Sequence, residues 1–93
     1  MPYIPQNERT PYQNALKEIV DNLCNLEDEN QVSGHLNYII YSIISRFISE
    51  KGIRYFRAQN LIGGTLTCCQ QELYRRLIAP YEDKAIEKNG DVE

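Results

Sequence analysis

The chain has 93 residues, of which 42% are hydrophobic and 25% are charged, and its 13 acidic and 10 basic side chains give a formal net charge of -3. A chain this short forms one domain with a thin core, and its acidic balance argues against a DNA or RNA partner. No apolar run reaches the ~18 to 20 residues that span a membrane, and no signal segment opens the chain, so we expect a cytoplasmic protein without a membrane partner.

The first predicted element is an N-terminal arm, residues 1–9, which contains two prolines and shows no apolar period. Thr10 is a good helix N-cap and Pro11 suits the first helical position, so we expect the first helix to begin there. Its apolar residues recur with the spacing of one helical face as far as Leu26. They are Tyr12, Leu16, Ile19, Val20, Leu23 and Leu26. The acidic run 27–30 then predicts a loop.

A second helix is predicted from Ser33, a candidate N-cap, to Gly52, which suits a left-handed C-cap. Its apolar residues recur at i, i+3, i+4, i+7 and i+8, which is the spacing of a helix. Isoleucine favours strands, but a half-buried strand needs strict alternation of apolar and polar residues, which this segment lacks. The spacing of the apolar residues therefore indicates a helix. The apolar residues are Leu36, Ile39, Ile40, Ile43, Ile44, Phe47 and Ile48.

The third helix should begin at Arg54 or Tyr55 and run to Ala79, where Pro80 ends it. At roughly 1.5 Å per residue it would be about 37 Å long, which is longer than the second helix can cover. An apolar stripe follows its length, formed by Tyr55, Ala58, Ile62, Leu66, Cys69, Leu73 and Leu77. Residues 81–93 form an acidic tail with five carboxylates against two lysines.

Two adjacent glycines, Gly63 and Gly64, lie in the middle of this helix. Each costs roughly 1 kcal/mol relative to alanine in a helix interior, so the pair needs a structural reason. Either another helix or a ligand comes close there, or the helix kinks. We expect a homodimer, or a higher even oligomer, in which third helices cross near Gly64.

Together these elements predict an all-α fold. It is a single three-helix domain over residues 1–93, with a long third helix, an extended N-terminal arm and an acidic C-terminal tail. We expect the second and third helices to form an antiparallel hairpin, with the first helix packed across it.

The chain contains the segments ELYRRL at 72–77, APYEDK at 79–84 and NGDV at 89–92. Together with segments 1–4, 36–40 and 60–63, these resemble a family of short uncharacterised proteins encoded by bacteria and phages. The resemblance is strongest in the C-terminal segments. It implies a small all-helical protein and an origin in a bacterium, phage or prophage, and it brings no catalytic residues. The chain departs from the family pattern at His35, Gly64, Thr65, Thr67 and Cys68.

Few residues could carry chemistry. His35 is the only histidine, and it has no partner for a zinc site or for general-base catalysis. Cys68 and Cys69 are adjacent on a helix, so their side chains diverge by roughly 100° and cannot share a metal. We expect Cys69 in the core and Cys24 to be a small buried residue. Glu72 is the only acid inside the predicted third helix, so we expect no enzymatic activity, no metal and no cofactor.

A polar stripe on the third helix, together with nearby tyrosines, carries the kinds of group that bind nucleotides. The stripe is formed by Arg57, Asn60, Gly64, Thr67, Gln71 and Arg75. Arginines suit phosphate, amides suit base or ribose edges, and tyrosines suit stacking. The candidate ligand-binding residues are Tyr38, Arg57, Asn60, Tyr74, Arg75 and Arg76. The alternative is an ordinary exposed face, with the tyrosines at the edges of the core.

The expected function follows from this inventory and from the resemblance. We expect a non-catalytic oligomeric binding protein, phage-encoded and located in the cytoplasm of the bacterial host, that sequesters a nucleotide-type immune signalling molecule at its subunit interfaces. Such a protein would act against a bacterial defence. The alternative is a structural or interaction protein that binds a host or phage protein and no small molecule.

Overall fold

The structure is a computed structural model that describes residues 3–92. Its regular elements in this range are helical, and no strand occurs there, so the all-α prediction is confirmed. The elements are α1 (Gln6–Cys24), a 3₁₀ turn (Glu29–Gln31), α2 (Val32–Lys51), α3 (Tyr55–Leu73), a π-helical turn (Tyr74–Ile78) and α4 (Ala79–Asn89).

The last three elements follow one another without a break and form a helix of 35 residues, called the long helix below. The long third helix is therefore confirmed. The described residues divide into two units, 3–58 and 59–92. The single domain over residues 1–93, the helical hairpin and the packing of the first helix across it stay predictions.

In the first unit, α1 begins at Gln6, so the prediction that Thr10 caps this helix is wrong. Pro5 occupies the N-cap position, and the carbonyl oxygen of Pro5 accepts a hydrogen bond from the backbone N–H of Glu8 at 2.9 Å. The acidic Glu8 also suits the positive end of the helix dipole. Pro11 lies inside the helix. The extended arm is thus shorter than residues 1–9, and its Met1 and Pro2 lie outside the described residues.

The connection from α1 to α2 is ordered by its own hydrogen bonds. The Asp28 carboxylate accepts from the backbone N–H of Asn30 at 2.9 Å and opens the 3₁₀ turn. This turn leads directly into α2 at Val32, so the predicted cap Ser33 lies inside the helix instead. The end of α2 agrees with the prediction, because Gly52 adopts a left-handed conformation with φ 64°.

The helices of the first unit leave most of their apolar side chains in contact with solvent. Among residues 3–92, Ala58 alone is buried, at 6% exposure. One set of apolar residues is half-buried: Ile19, Leu23, Leu26, Val32, Ile39, Ile44, Ile48 and Ile53. Another set is exposed: Tyr12, Leu16, Val20, Leu36, Tyr38, Ile40, Tyr41, Ile43 and Phe47. Within this unit, the apolar faces predicted from the sequence are therefore present but only partly covered.

The long helix begins at Tyr55 as predicted, but Pro80 does not end it. Proline has no N–H and clashes with the preceding turn of a regular α-helix. The π turn directly before α4 widens the backbone here, and Pro80 is accommodated in the first turn of α4. The predicted tail is consequently helical as far as Asn89, and Gly90 follows with φ 87°. Glu93 lies outside the described residues.

Candidate functional site

The most extensive feature of residues 59–92 is an apolar stripe that runs along the long helix. Ile62, Leu66, Cys69 and Leu73 follow one another at spacings of four, three and four residues. This is the spacing by which one helix packs against another in a coiled coil. A regular α-helix would continue the stripe with positions 76 and 80, an arginine and a proline.

The π turn changes which residues continue this stripe. A π turn holds one more residue than an α turn, so the positions after it are displaced by one along the same face. Leu77 and Tyr81 therefore replace Arg76 and Pro80 on the stripe. We call the resulting surface the seam. It is formed by Ile62, Leu66, Cys69, Leu73, Leu77 and Tyr81.

The seam is open to solvent for most of its length. The exposed fraction is 45% for Leu66, 51% for Leu73, 65% for Leu77 and 71% for Tyr81. Single exposed apolar residues are ordinary on protein surfaces, but a contiguous row of them is typical of a surface that binds a partner. The apolar stripe predicted from the sequence ends at Leu77 and does not include Tyr81. The spacing of four residues from Leu73 to Leu77, and again from Leu77 to Tyr81, is the feature of the sequence that indicates its place on the seam.

The polar stripe lies on the other side of the long helix. At roughly 100° per residue, Asn60 and Thr67 project about 130 to 150° away from the middle of the seam. Asn60 and Tyr74 are also 14 positions apart, which is about 21 Å along a helix axis. One copy of the long helix therefore does not enclose a small ligand between these two residues.

The arginines of the π turn are in contact with their own helix. The Arg75 Nη2 donates to Oε1 of Glu72, and this ion pair connects positions i and i+3. Arg76 lines an open groove of about 440 Å³, together with Cys69, Glu72, Leu73 and Leu77. Arg76 thus lies beside apolar seam residues, and the Arg75 guanidinium engages a carboxylate.

Two of the candidate ligand-binding residues belong to the first unit. Tyr38 lies in α2, is exposed and lines a shallow groove with Tyr41, Ser42, Ser45 and Arg46. Arg57 lies in the first turn of the long helix and is exposed. The groove that contains Tyr38 does not include Arg57. The joint role of these residues in ligand binding stays a prediction.

The glycine pair has free space around it in the described chain. A Cβ atom added to Gly63 or Gly64 would meet nothing within 4 Å. The Thr67 hydroxyl donates to the carbonyl oxygen of Gly63 at 3.0 Å, and the Thr65 hydroxyl donates to that of Leu61 at 2.8 Å. Gly63 flanks the seam, and Gly64 lies on the polar side, so the two glycines belong to different surfaces of the helix.

The chain matches a family model described as a domain of unknown function (DUF6899) over residues 1–92. It belongs to this family. No curated protein and no solved structure gives a significant match. The match confirms the resemblance to a family of uncharacterised proteins.

The cysteines of this DUF6899 chain differ from expectation. Cys24, Cys68 and Cys69 are free thiols, and all three are exposed. The predictions that Cys69 is in the core and that Cys24 is buried are therefore wrong, because the sides of the helices on which these two cysteines lie are exposed. Among residues 3–92, no group of three or more His, Cys, Asp or Glu side chains could hold a metal ion. No helix in that range is both long and apolar enough to cross a membrane.

Proposed function

We propose that this DUF6899 protein is a non-catalytic binding protein that works as a homo-oligomer. The observation that supports the proposal is the exposed seam, together with a described chain in which Ala58 alone is buried. Helices in water are marginally stable unless an apolar face is packed against something else. Association of several copies of the chain would cover the apolar face of each long helix, and it requires no additional helix from the chain itself.

The energetic gain from covering the seam is large on the scale of protein stability. Full burial of a leucine side chain contributes about 1.5 to 3 kcal/mol. Leu66, Leu73 and Leu77 are each about half exposed, so covering them would contribute roughly 1 kcal/mol apiece. Two copies would gain this twice, which is comparable to the whole stability of a small domain.

The mass of the protein in solution tests this proposal. Light scattering at micromolar concentration should give at least twice the 10.8 kDa mass of one chain. Leu73→Asp, on the seam, should shift the mass towards the monomer, because it places a charge on the buried surface of the oligomer. Gln71→Asp, on the polar side, is the matched control and should leave the mass unchanged. A monomeric wild-type protein would contradict the proposal.

We also propose a ligand class for this oligomer, namely a nucleotide-type signalling molecule that a phage-encoded member of the family would sequester from a bacterial defence. The support is the groove of about 440 Å³ in which Arg76 lies beside the seam residues Leu73 and Leu77, because association of copies through the seam would place this guanidinium at the subunit interface. A guanidinium suits a phosphate group, and apolar walls suit a base. Tyr74, in the same π turn, is half exposed and available for stacking.

A thermal-shift screen against cyclic dinucleotides and ADP-ribose derivatives tests the ligand proposal. A ligand at 100 times its dissociation constant should stabilise the folded protein by about 2.7 kcal/mol. Arg76→Ala should abolish the shift, and Lys88→Ala, a change of the same charge outside the groove, should preserve it. If no compound raises the midpoint, the ligand proposal is wrong, and the alternative of an oligomer that binds a host or phage protein is favoured.

A further inference from the structure

We propose that the seam of one copy pairs with the seam of a second copy in antiparallel orientation, about a two-fold axis that passes between Leu66 and Cys69. This inference rests on the proposed homo-oligomer and adds the surface, the orientation and the register of the contact. Three observations carry it: the length of the long helix, the charge at its two ends, and the spacing of the seam.

The length of the long helix favours a second copy as the occupant of the seam. The element before it, α2, has 20 residues, and the long helix has 35. At about 1.5 Å per residue these are roughly 30 Å and 52 Å. Even if α2 folded back along the long helix from the turn at Gly52, it would end near position 75. Leu77 and Tyr81, which are 65% and 71% exposed, lie beyond that point.

The charges at the two ends of the long helix favour the antiparallel orientation. Arg54 and Arg57 lie at its start, and the sequence between Arg57 and Glu72 contains no charged residue. At the other end, positions 82–91 carry four carboxylates and two lysines, a balance of 2 - 4 = -2. Antiparallel pairing brings the positive start of each helix beside the acidic end of the other, whereas parallel pairing brings like charges together. The helix dipoles are also better arranged when they oppose.

The spacing of the seam then sets the register. In coiled-coil terms, Leu66 and Leu73 occupy a positions of the seam, and Ile62 and Cys69 occupy d positions. In an antiparallel pair, an a position of one helix lies opposite a d position of the other. Leu66 therefore lies opposite Cys69 of the second copy, and Ile62 lies opposite Leu73. Counting the extra residue of the π turn, the same register places Tyr81 opposite position 55 and Glu82 at the level of Arg54. The register set by the apolar residues is thus the one that also pairs the charged ends.

Disulfide trapping tests this register. The starting variant carries Cys24→Ser and Cys68→Ser, so that Cys69 is its only thiol. Adding Leu66→Cys places a second thiol opposite Cys69 of the other copy, at a separation that a disulfide can bridge. Mild oxidation with diamide should convert this variant to a covalent dimer within minutes, and the starting variant should remain largely monomeric on a non-reducing gel. Thr67→Cys in the same background, one position away on the polar side, is the matched control and should not dimerise.

The possible outcomes separate this inference from the proposed function. If the starting variant crosslinks through Cys69 as fast as the variant with Leu66→Cys, Cys69 lies opposite its own counterpart and the proposed register is wrong. If the wild type is an oligomer by light scattering but Leu66→Cys adds no crosslink, the copies meet at another surface, and only the proposed function survives. If the wild type is a monomer, both are wrong. Circular dichroism of each variant shows whether the helices are retained.

Discussion

The backbone N–H of Ala79 donates to the carbonyl oxygen of Tyr74, five residues earlier. This bond closes the π turn immediately before Pro80. A proline in a regular helix removes a hydrogen bond and forces its ring against the carbonyl group four residues back, which ordinarily kinks or ends the helix. With the wider turn in place, the helix continues to Asn89 and carries Leu77 and Tyr81 on the seam.

Pro80→Ala should therefore have opposite effects on two properties: the long helix should become more stable, and the oligomer should become weaker. Removing the proline restores a backbone donor and is expected to stabilise a regular α-helix by up to about 3 kcal/mol. The regular helix would bring Arg76 and position 80 onto the seam in place of Leu77 and Tyr81, so the oligomer should weaken. Circular dichroism should show equal or greater helix content, and sedimentation equilibrium should show a larger dissociation constant. Stronger association of this variant would show that the π turn does not set the seam.

The glycine pair gives a second prediction. A Cβ at Gly63 or Gly64 meets nothing within 4 Å in the described chain, so Gly64→Ala should stabilise the helix by about 0.5 to 1 kcal/mol. Because Gly64 lies on the polar side, this variant should keep the oligomeric mass of the wild type if copies pair through the seam. Thermal unfolding and light scattering measure the two effects. Loss of the oligomer would instead support a crossing of helices at Gly64.

Two other glycines should respond to the same substitution with opposite signs. Gly52 has a left-handed backbone, with φ 64°, and its N–H is bonded to carbonyl oxygens of Ile48 and Ser49. Gly52→Ala should lower the free energy of unfolding by about 1 to 2 kcal/mol, because a Cβ clashes in this conformation. Gly34→Ala, inside α2 with open space around it, should raise it by about 0.5 to 1 kcal/mol. Urea unfolding at one protein concentration compares the two.

Truncation of the chain gives a fourth prediction. Removal of residues 81–93 eliminates Tyr81 from the seam and ends the long helix inside the first turn of α4. The melting temperature should fall by several degrees if about 1 kcal/mol is lost. Removal of residues 91–93 alone keeps Gly90, whose N–H donates to the carbonyl oxygen of Ile86 at 2.7 Å, and should leave the melting temperature unchanged. Equal behaviour of the two truncations would mean that positions 81–89 contribute nothing to stability.

The sequence predicted the existence of the helices better than their ends. The apolar residues of α2 and α3 recur regularly over many residues, and a glycine such as Gly52 after a helix is typical of a left-handed C-cap. These features were therefore predicted correctly. Thr10 was a plausible cap, but Pro5 occupies the N-cap of α1 five positions earlier. Pro80 indicates a helix end in almost any sequence. Only the hydrogen bond across the π turn shows why it does not end this one.

The candidate site was less accessible from the sequence than the fold. The charge of Arg76 predicts a ligand-binding role, and the structure places this residue in a groove with Leu73 and Leu77. Tyr38 and Arg57 carry groups suited to the same ligand, but their positions relative to a ligand depend on contacts that periodicity does not encode. Groups that converge only when copies associate leave no spacing signature in a single chain. For this reason the ligand assignment stays a prediction.

The near absence of burial, with Ala58 as the one buried residue among positions 3–92, has a consequence for how the protein survives in a cell. If copies stabilise one another, the melting temperature rises with protein concentration, because the folded assembly is favoured by mass action. Scarce copies would then spend more of their time with open helices that proteases can cut. The lifetime of the protein would therefore depend on its own abundance. Protein made slowly would be degraded before it could associate, whereas protein made in a rapid burst of synthesis would associate and persist.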